Sequence, residues 1–242
     1  MAKSSAVWDR ALSSFRPLIL AQGEVSYAYN LLQERFFEIF NRVMALDRST
    51  SRPTTFYPYA QSIWNVMQND RQQRQLAMTA LAKLPTSLDI KGGIERLVWA
   101  QKQTDKLAEY RNLIVHSPMK FRYPYPFKMK NDKFPEPIPG LGGASTRPAN
   151  SRKLRLLKSP LFWKSLRNDF LNLSDYVDFV GRQIGSRDYE RQNGAPVLGA
   201  QCSWPHKPRL RCIRRTSLIE KQIQAQMVQP PKRPRQRKPS RG

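Results

Sequence analysis

EVSYAYNLLQERFFEIFNRVMAL, from Glu24 to Leu46, decides the fold. Val25, Ala28, Leu32, Phe36, Ile39 and Val43 recur every three or four residues, and Leu31, Phe40 and Met44 widen the stripe into a face broad enough to bury. A helix with so wide an apolar face needs other helices or a sheet to cover it. Glu24, Glu34 and Glu38 lie on or beside that face, either as part of a solvated edge or as carboxylates reaching into a cleft.

The rest of the chain supplies helices rather than strands. After the polar, proline-punctuated stretch from Ser49 to Pro58, residues Ala60 to Leu84 read as a second helix or a broken pair. Ile63, Val66 and Met67 open its apolar face, Leu76, Ala77, Ala80, Leu81 and Leu84 continue it, and the polar run NDRQQRQ (Asn69–Gln75) allows a turn between them. Pro85 ends this segment, and Thr86, Ser87 and Asp89 offer N-caps for the next helix, whose first turn Gly92 and Gly93 weaken. Ile94, Leu97, Val98, Leu107, Ala108, Ile114 and Val115 carry that helix to its end, where Pro118 disfavours helical geometry at Ser117. A last helix runs from about Ser159 to Ile184 on Leu161, Phe162, Leu166, Phe170, Leu173, Val177 and Val180, with Gly185 suited to its C-terminal cap.

Two stretches break the pattern. From Met119 to Pro148 the chain is rich in proline, glycine, aromatics and lysine and cannot be a helix interior. Phe121, Tyr123, Tyr125 and Phe127 alternate at strand spacing beside Arg122, Lys128 and Lys130. Rings interleaved with cations suit single-stranded RNA, since bases stack on the rings while phosphates meet the charges; equally, the same composition suits a loop or short hairpin that covers the bundle. From Ser186 onward periodicity is lost, and the basic end PPKRPRQRKPSRG, with Lys232, Arg233 and Arg235, reads as a disordered tail able to bind RNA without sequence preference.

Charge narrows the function classes. Lys and Arg outnumber Asp and Glu by 42 to 18, a formal charge of +24, with a sequence pI near 10.6. An excess of one sign repels itself in a compact fold and calls for a polyanionic partner, for which RNA is the economical choice because each neutralised phosphate also releases a counterion. No segment approaches the ~20 apolar residues of a membrane span, and no signal-length apolar run follows MAKSSAVWDR, so the expectation is a cytoplasmic protein with no membrane partner. Cys202, His206 and Cys212 supply three ligand types at a spacing that matches no common zinc site; two unpaired thiols are the expectation, with no metal and no cofactor. A phosphate-binding glycine loop is absent, and two histidines leave little material for a hydrolase triad.

One helix end concentrates reactive groups. EYRNLIVHSP (Glu109–Pro118) places Arg111, Asn112 and His116 together, with His116 in the last turn beside the unpaired carbonyls. At about 100° per residue, Asn112 and His116 are about 40° apart, whereas Arg111 and His116 are about 140° apart. Arginine, a small polar residue and then histidine at the end of an amphipathic helix resembles the R-x4-6-H motif of the HEPN superfamily. That resemblance implies an all-α, compact four- to five-helix bundle over residues 18–186, with residues 1–17 as an N-terminal segment, 119–158 as an insertion and 187–242 as the tail. It also implies a homodimer whose paired motif helices line an RNA cleft, and metal-independent RNA cleavage by Arg111, Asn112 and His116, as in toxin–antitoxin or defence systems with a cognate antitoxin or defence partner. Some members of the superfamily have lost catalysis and serve as RNA- or protein-binding modules, the alternative reading for this chain.

Overall fold

The computed structural model describes residues 2–46, 59–84, 88–116, 119–122, 138–141, 159–193 and 203–214. Its organising element is α1 (Ala2–Leu46), which touches each of the other helices: α2 (Ala60–Val66), α3 (Asp70–Leu81), α4 (Leu88–His116) and α5 (Pro160–Asn193). These residues are predominantly helical, in keeping with the all-α expectation, with two short strands as the exception. Leu32, Phe36, Ile39 and Phe40 of α1 are buried with Phe170, Leu173, Val177 and Val180 of α5 and Leu97, Leu107 and Ile114 of α4. The spacing read from the sequence therefore does face a common core.

Two boundaries differ from expectation, and a third is settled between two alternatives. α1 does not start near Glu24: it is helical from Ala2, with Pro17 inside it. Phe15 is buried and Leu18 and Ala21 pack partly against the core, so the apolar stripe continues backward through the proline. Pro17 itself is exposed, and the donor it removes is lost where water reaches the backbone. Between Ala60 and Leu84 the broken-pair reading is the one realised. Asn69, in extended geometry, ends α2's connection and caps α3, its Oδ1 accepting the Gln72 N–H at 2.9 Å. α5 passes through Gly185, the expected cap, and runs on to Asn193.

Two short strands follow the end of α4. β1 (Met119–Arg122) and β2 (Ile138–Leu141) pair antiparallel, Met119 opposite Leu141 and Arg122 opposite Ile138. The hairpin alternative for the insertion is thus partly met; residues 123–137 lie outside the described residues.

The expected tail also needs correction over part of its length. Residues 203–214 lie along α4 and α5 as an extended strap ending in one helical turn. Leu210 and Cys212 of this strap are buried in the common core. Asp169 of α5 fixes its end: Oδ1 accepts the Arg211 N–H at 3.0 Å and Oδ2 the Cys212 N–H at 2.8 Å. Burial raises the Asp169 carboxyl, and these two backbone hydrogen bonds oppose the rise. At the other end, Trp204 fills a notch in α4. A methyl group built on Gly93 would run into the indole and stand 2.7 Å from Ile184 Cγ1, and one on Gly92 would stand 3.0 Å from Trp204 Nε1. The glycines that weaken the start of α4 are what admit the strap.

Candidate functional site

α4 ends with the motif residues at the edge of the bundle. Arg111 is half-buried, while Asn112 and His116 are exposed. The guanidinium lies over the ring of Tyr29 on α1, 4.8 Å from its centre, and its Nη1 donates to Asn112 Oδ1 at 3.1 Å. Arg111 Nε is buried without a hydrogen-bond partner among the described residues. Arg111 and Asn112 are therefore brought together. His116, five residues on and well round the helix, has no hydrogen bond or ion pair to either among the described residues.

Beneath Arg111 is a polar cluster that sequence reasoning missed. The Tyr29 hydroxyl donates to Asp70 Oδ2 at 2.8 Å and accepts from Arg74 Nη1 at 3.0 Å, both on α3. Arg74, almost wholly buried, places its Nη2 2.5 Å from Asp105 Oδ1 on α4. A buried guanidinium needs such a carboxylate, since an uncompensated interior charge is strongly destabilising. Burial pushes the Tyr29 phenol up to about 12; Asp70 acts in the same direction and Arg74 against it. The phenol remains a donor at neutral pH. α1, α3 and α4 are thus tied by one cluster directly under the motif arginine, and Arg111 is held on a ring that is itself fixed. Arg74 sits in the polar run that reads as a turn, and no sequence pattern distinguishes it from its solvated neighbours.

The other expected residues are placed as follows. Glu24 pairs with Arg167 of α5 at 2.8 Å, and Glu38 with Arg35 at 2.7 Å and Arg42 at 3.8 Å. These carboxylates serve surface ion pairs between and along helices. Phe121 and Arg122 fall in β1, with backbone opposite Pro139 and Ile138. Tyr123, Tyr125, Lys128 and Lys130 lie outside the described residues, as do Lys232, Arg233 and Arg235. His206 is exposed, Cys212 is a buried free thiol whose Sγ donates to the Phe162 carbonyl at 3.7 Å, and Cys202 lies outside the described residues. Among the described residues no three His, Cys, Asp or Glu side chains converge to hold a metal ion, and no helix is long and apolar enough to cross a membrane.

Fold and site together define a basic helical bundle with an arginine, an asparagine and a histidine at the exposed end of one helix. No family model, no curated protein and no solved structure matches the chain.

Proposed function

We propose that the protein is a metal-independent endoribonuclease of the HEPN type, acting as a toxin or defence effector held in check by a cognate partner. The observation that carries this reading is the Arg111–Asn112 pair, fixed over the Tyr29 ring at an exposed helix end that also bears His116. A guanidinium is permanently charged and clamps phosphate oxygens by two bonds, so Arg111 answers the negative charge that develops on the scissile phosphate. His116 takes the proton of the ribose 2′-OH as that oxygen attacks phosphorus. The bond from phosphorus to the 5′-oxygen breaks, and the leaving oxygen takes a proton from the second His116 of a homodimer. The products are a 2′,3′-cyclic phosphate and a free 5′-OH. Asn112 orients Arg111.

A second reading is favoured by the same contact. The Arg111 guanidinium already has the Tyr29 ring on one face and Asn112 on its edge, an arrangement that also suits a non-catalytic module binding RNA or a protein.

Incubation of total RNA in EDTA with wild type, Arg111→Lys and His116→Ala separates the two. The proposal expects cleavage by wild type with cyclic-phosphate ends, and a loss of at least ~100-fold in each variant, the usual scale for removing a proton-transfer or charge-stabilising group. Equal RNA binding by all three proteins with no cleavage favours the module. Equal cleavage by all three places the chemistry elsewhere.

A further inference from the structure

We infer that the strap, residues 203–214, is a docking track for single-stranded RNA that leads along α4 and α5 to the motif end of the bundle. Its course is fixed by its anchors. Trp204 sits at Gly92, Gly93 and Ile184, Lys207 lies over Trp99 at 5.4 Å, and Cys212 reaches the Phe162 carbonyl. On α5 these anchors recede from Ile184 to Asp169, whose carboxylate accepts the Cys212 N–H. That is about 22 Å of helix at 1.5 Å per residue, which the chain from Trp204 to Cys212 crosses in nearly extended form. The Phe162 ring stands 5.3 Å from Tyr110, the neighbour of Arg111 in sequence. The strap thus ends level with the last turns of α4, on the α5 side of that helix, whereas Arg111 faces α1.

The strap's charge is not interspersed with carboxylates as much of the helices' charge is. On the bundle, Arg35, Arg42, Arg71, Arg74, Arg167 and Arg182 each have a carboxylate within ion-pair distance. The strap carries Lys207, Arg209, Arg211 and Arg214 and no acidic residue, and all four are exposed; Arg211 acts on the Asp169 carboxylate that accepts its N–H, and the other three have no ion pair among the described residues. Two further cations gather at its start: Arg187 lies over the Trp204 ring at 4.1 Å and Arg96 at 5.8 Å, with Arg96 Nη1 donating to the Gly92 carbonyl at 3.1 Å. Holding these cations on indoles removes side-chain freedom before any ligand arrives, so less is lost on binding.

A line of exposed cations on a pinned, extended segment, with cations held in place over the indoles of Trp204 and Trp99, fits the repeating phosphates of an extended RNA strand. An anionic membrane fits less well, because the strap's large apolar side chains are engaged with the bundle, Leu210 buried in the core and Trp204 and Ile213 packed against it. The inference concerns binding alone and uses none of the residues assigned to cleavage.

The test uses the full chain and a fluorescent 2′-O-methyl oligouridylate of about twenty nucleotides, long enough to span the track and lacking the hydroxyl needed for cleavage. Arg209→Gln/Arg211→Gln/Arg214→Gln is compared with Arg16→Gln/Lys83→Gln/Lys164→Gln, which removes the same charge from exposed sites elsewhere. The strap variant is expected to bind at least ~10-fold more weakly at about 0.1 M salt and to flatten the dependence of log K on log salt by about two, near 0.7 for each lost phosphate contact. The charge-matched control is expected to weaken binding less than ~3-fold. Arg209→Lys/Arg211→Lys/Arg214→Lys, which keeps the charge, is expected to bind as wild type. Equal losses in the two Gln variants overturn the inference. So does a strap variant that holds RNA as wild type does, including one that instead loses affinity for phosphatidylserine vesicles. Because the probe cannot be cut, a negative result here leaves the cleavage assay to be judged separately.

Discussion

Tyr29 serves two purposes with two ends of one side chain. Its ring carries Arg111, and its hydroxyl joins Asp70 and Arg74 across the α1–α3 contact, with Phe170 edge-on at 5.3 Å. Because the folded phenol holds its proton up to about 12, against 10.0 for a free tyrosine, the folded state binds more protons than the unfolded state between those values. Stability from this group is fully present below pH 10 and is lost as pH rises through 12. Denaturant titrations across that range are expected to show an alkaline decline on the order of 2–3 kcal/mol, much reduced in Tyr29→Phe. A wild-type decline no steeper than that of Tyr29→Phe would exclude the hydroxyl as the cause.

At the scale of elements, two glycines in long helices have opposite meanings. Gly185 lies inside α5 with nothing within 4 Å of a built methyl group, so it only adds freedom to the unfolded chain. Gly185→Ala is expected to raise stability by about 0.5–1 kcal/mol. At Gly93 the methyl meets Trp204 and Ile184, and Gly93→Ala is expected to lower stability by ~1–3 kcal/mol through overcrowding. Urea melts of the two single variants check both, and shifts of the same sign would refute the notch.

The same two glycines show why the sequence was readable in some places and not in others. Helices and their buried faces are local properties: Leu32, Phe36 and Phe170 announce themselves by spacing three or four residues from their neighbours. So does the adjacency of Arg111 and Asn112. The start of α1 is harder to read, because Pro17 is unfavourable inside a helix although the stripe continues past it through Phe15 and Leu18. The purpose of Gly92 and Gly93, the burial of Arg74 and the Tyr29 platform are set by residues distant in sequence, and no local period encodes them. Trp204 carries no periodic signal at all, since an extended strap pinned at a few points has none.

For the molecule as a whole, six arginines of the helices are paired with carboxylates, whereas the strap holds four exposed cations and no acidic residue. The strap also has a consequence in time. Arg96 and its partner Pro205 stand 109 positions apart, whereas the strap's other end closes on Asp169 over 43. Contacts across such loops cost closure entropy before they return anything, so they form after the helices have already found one another. Trp204 should then be absent from the folding nucleus. In stopped-flow measurements Trp204→Ala is expected to speed unfolding while leaving the refolding rate within about twofold of wild type, and slowed refolding would move the strap into the nucleus. A strap that docks last on folding is also the first part to leave on unfolding, so the notch between Gly92 and Ile184 sets how long the native state persists more than how quickly it is reached.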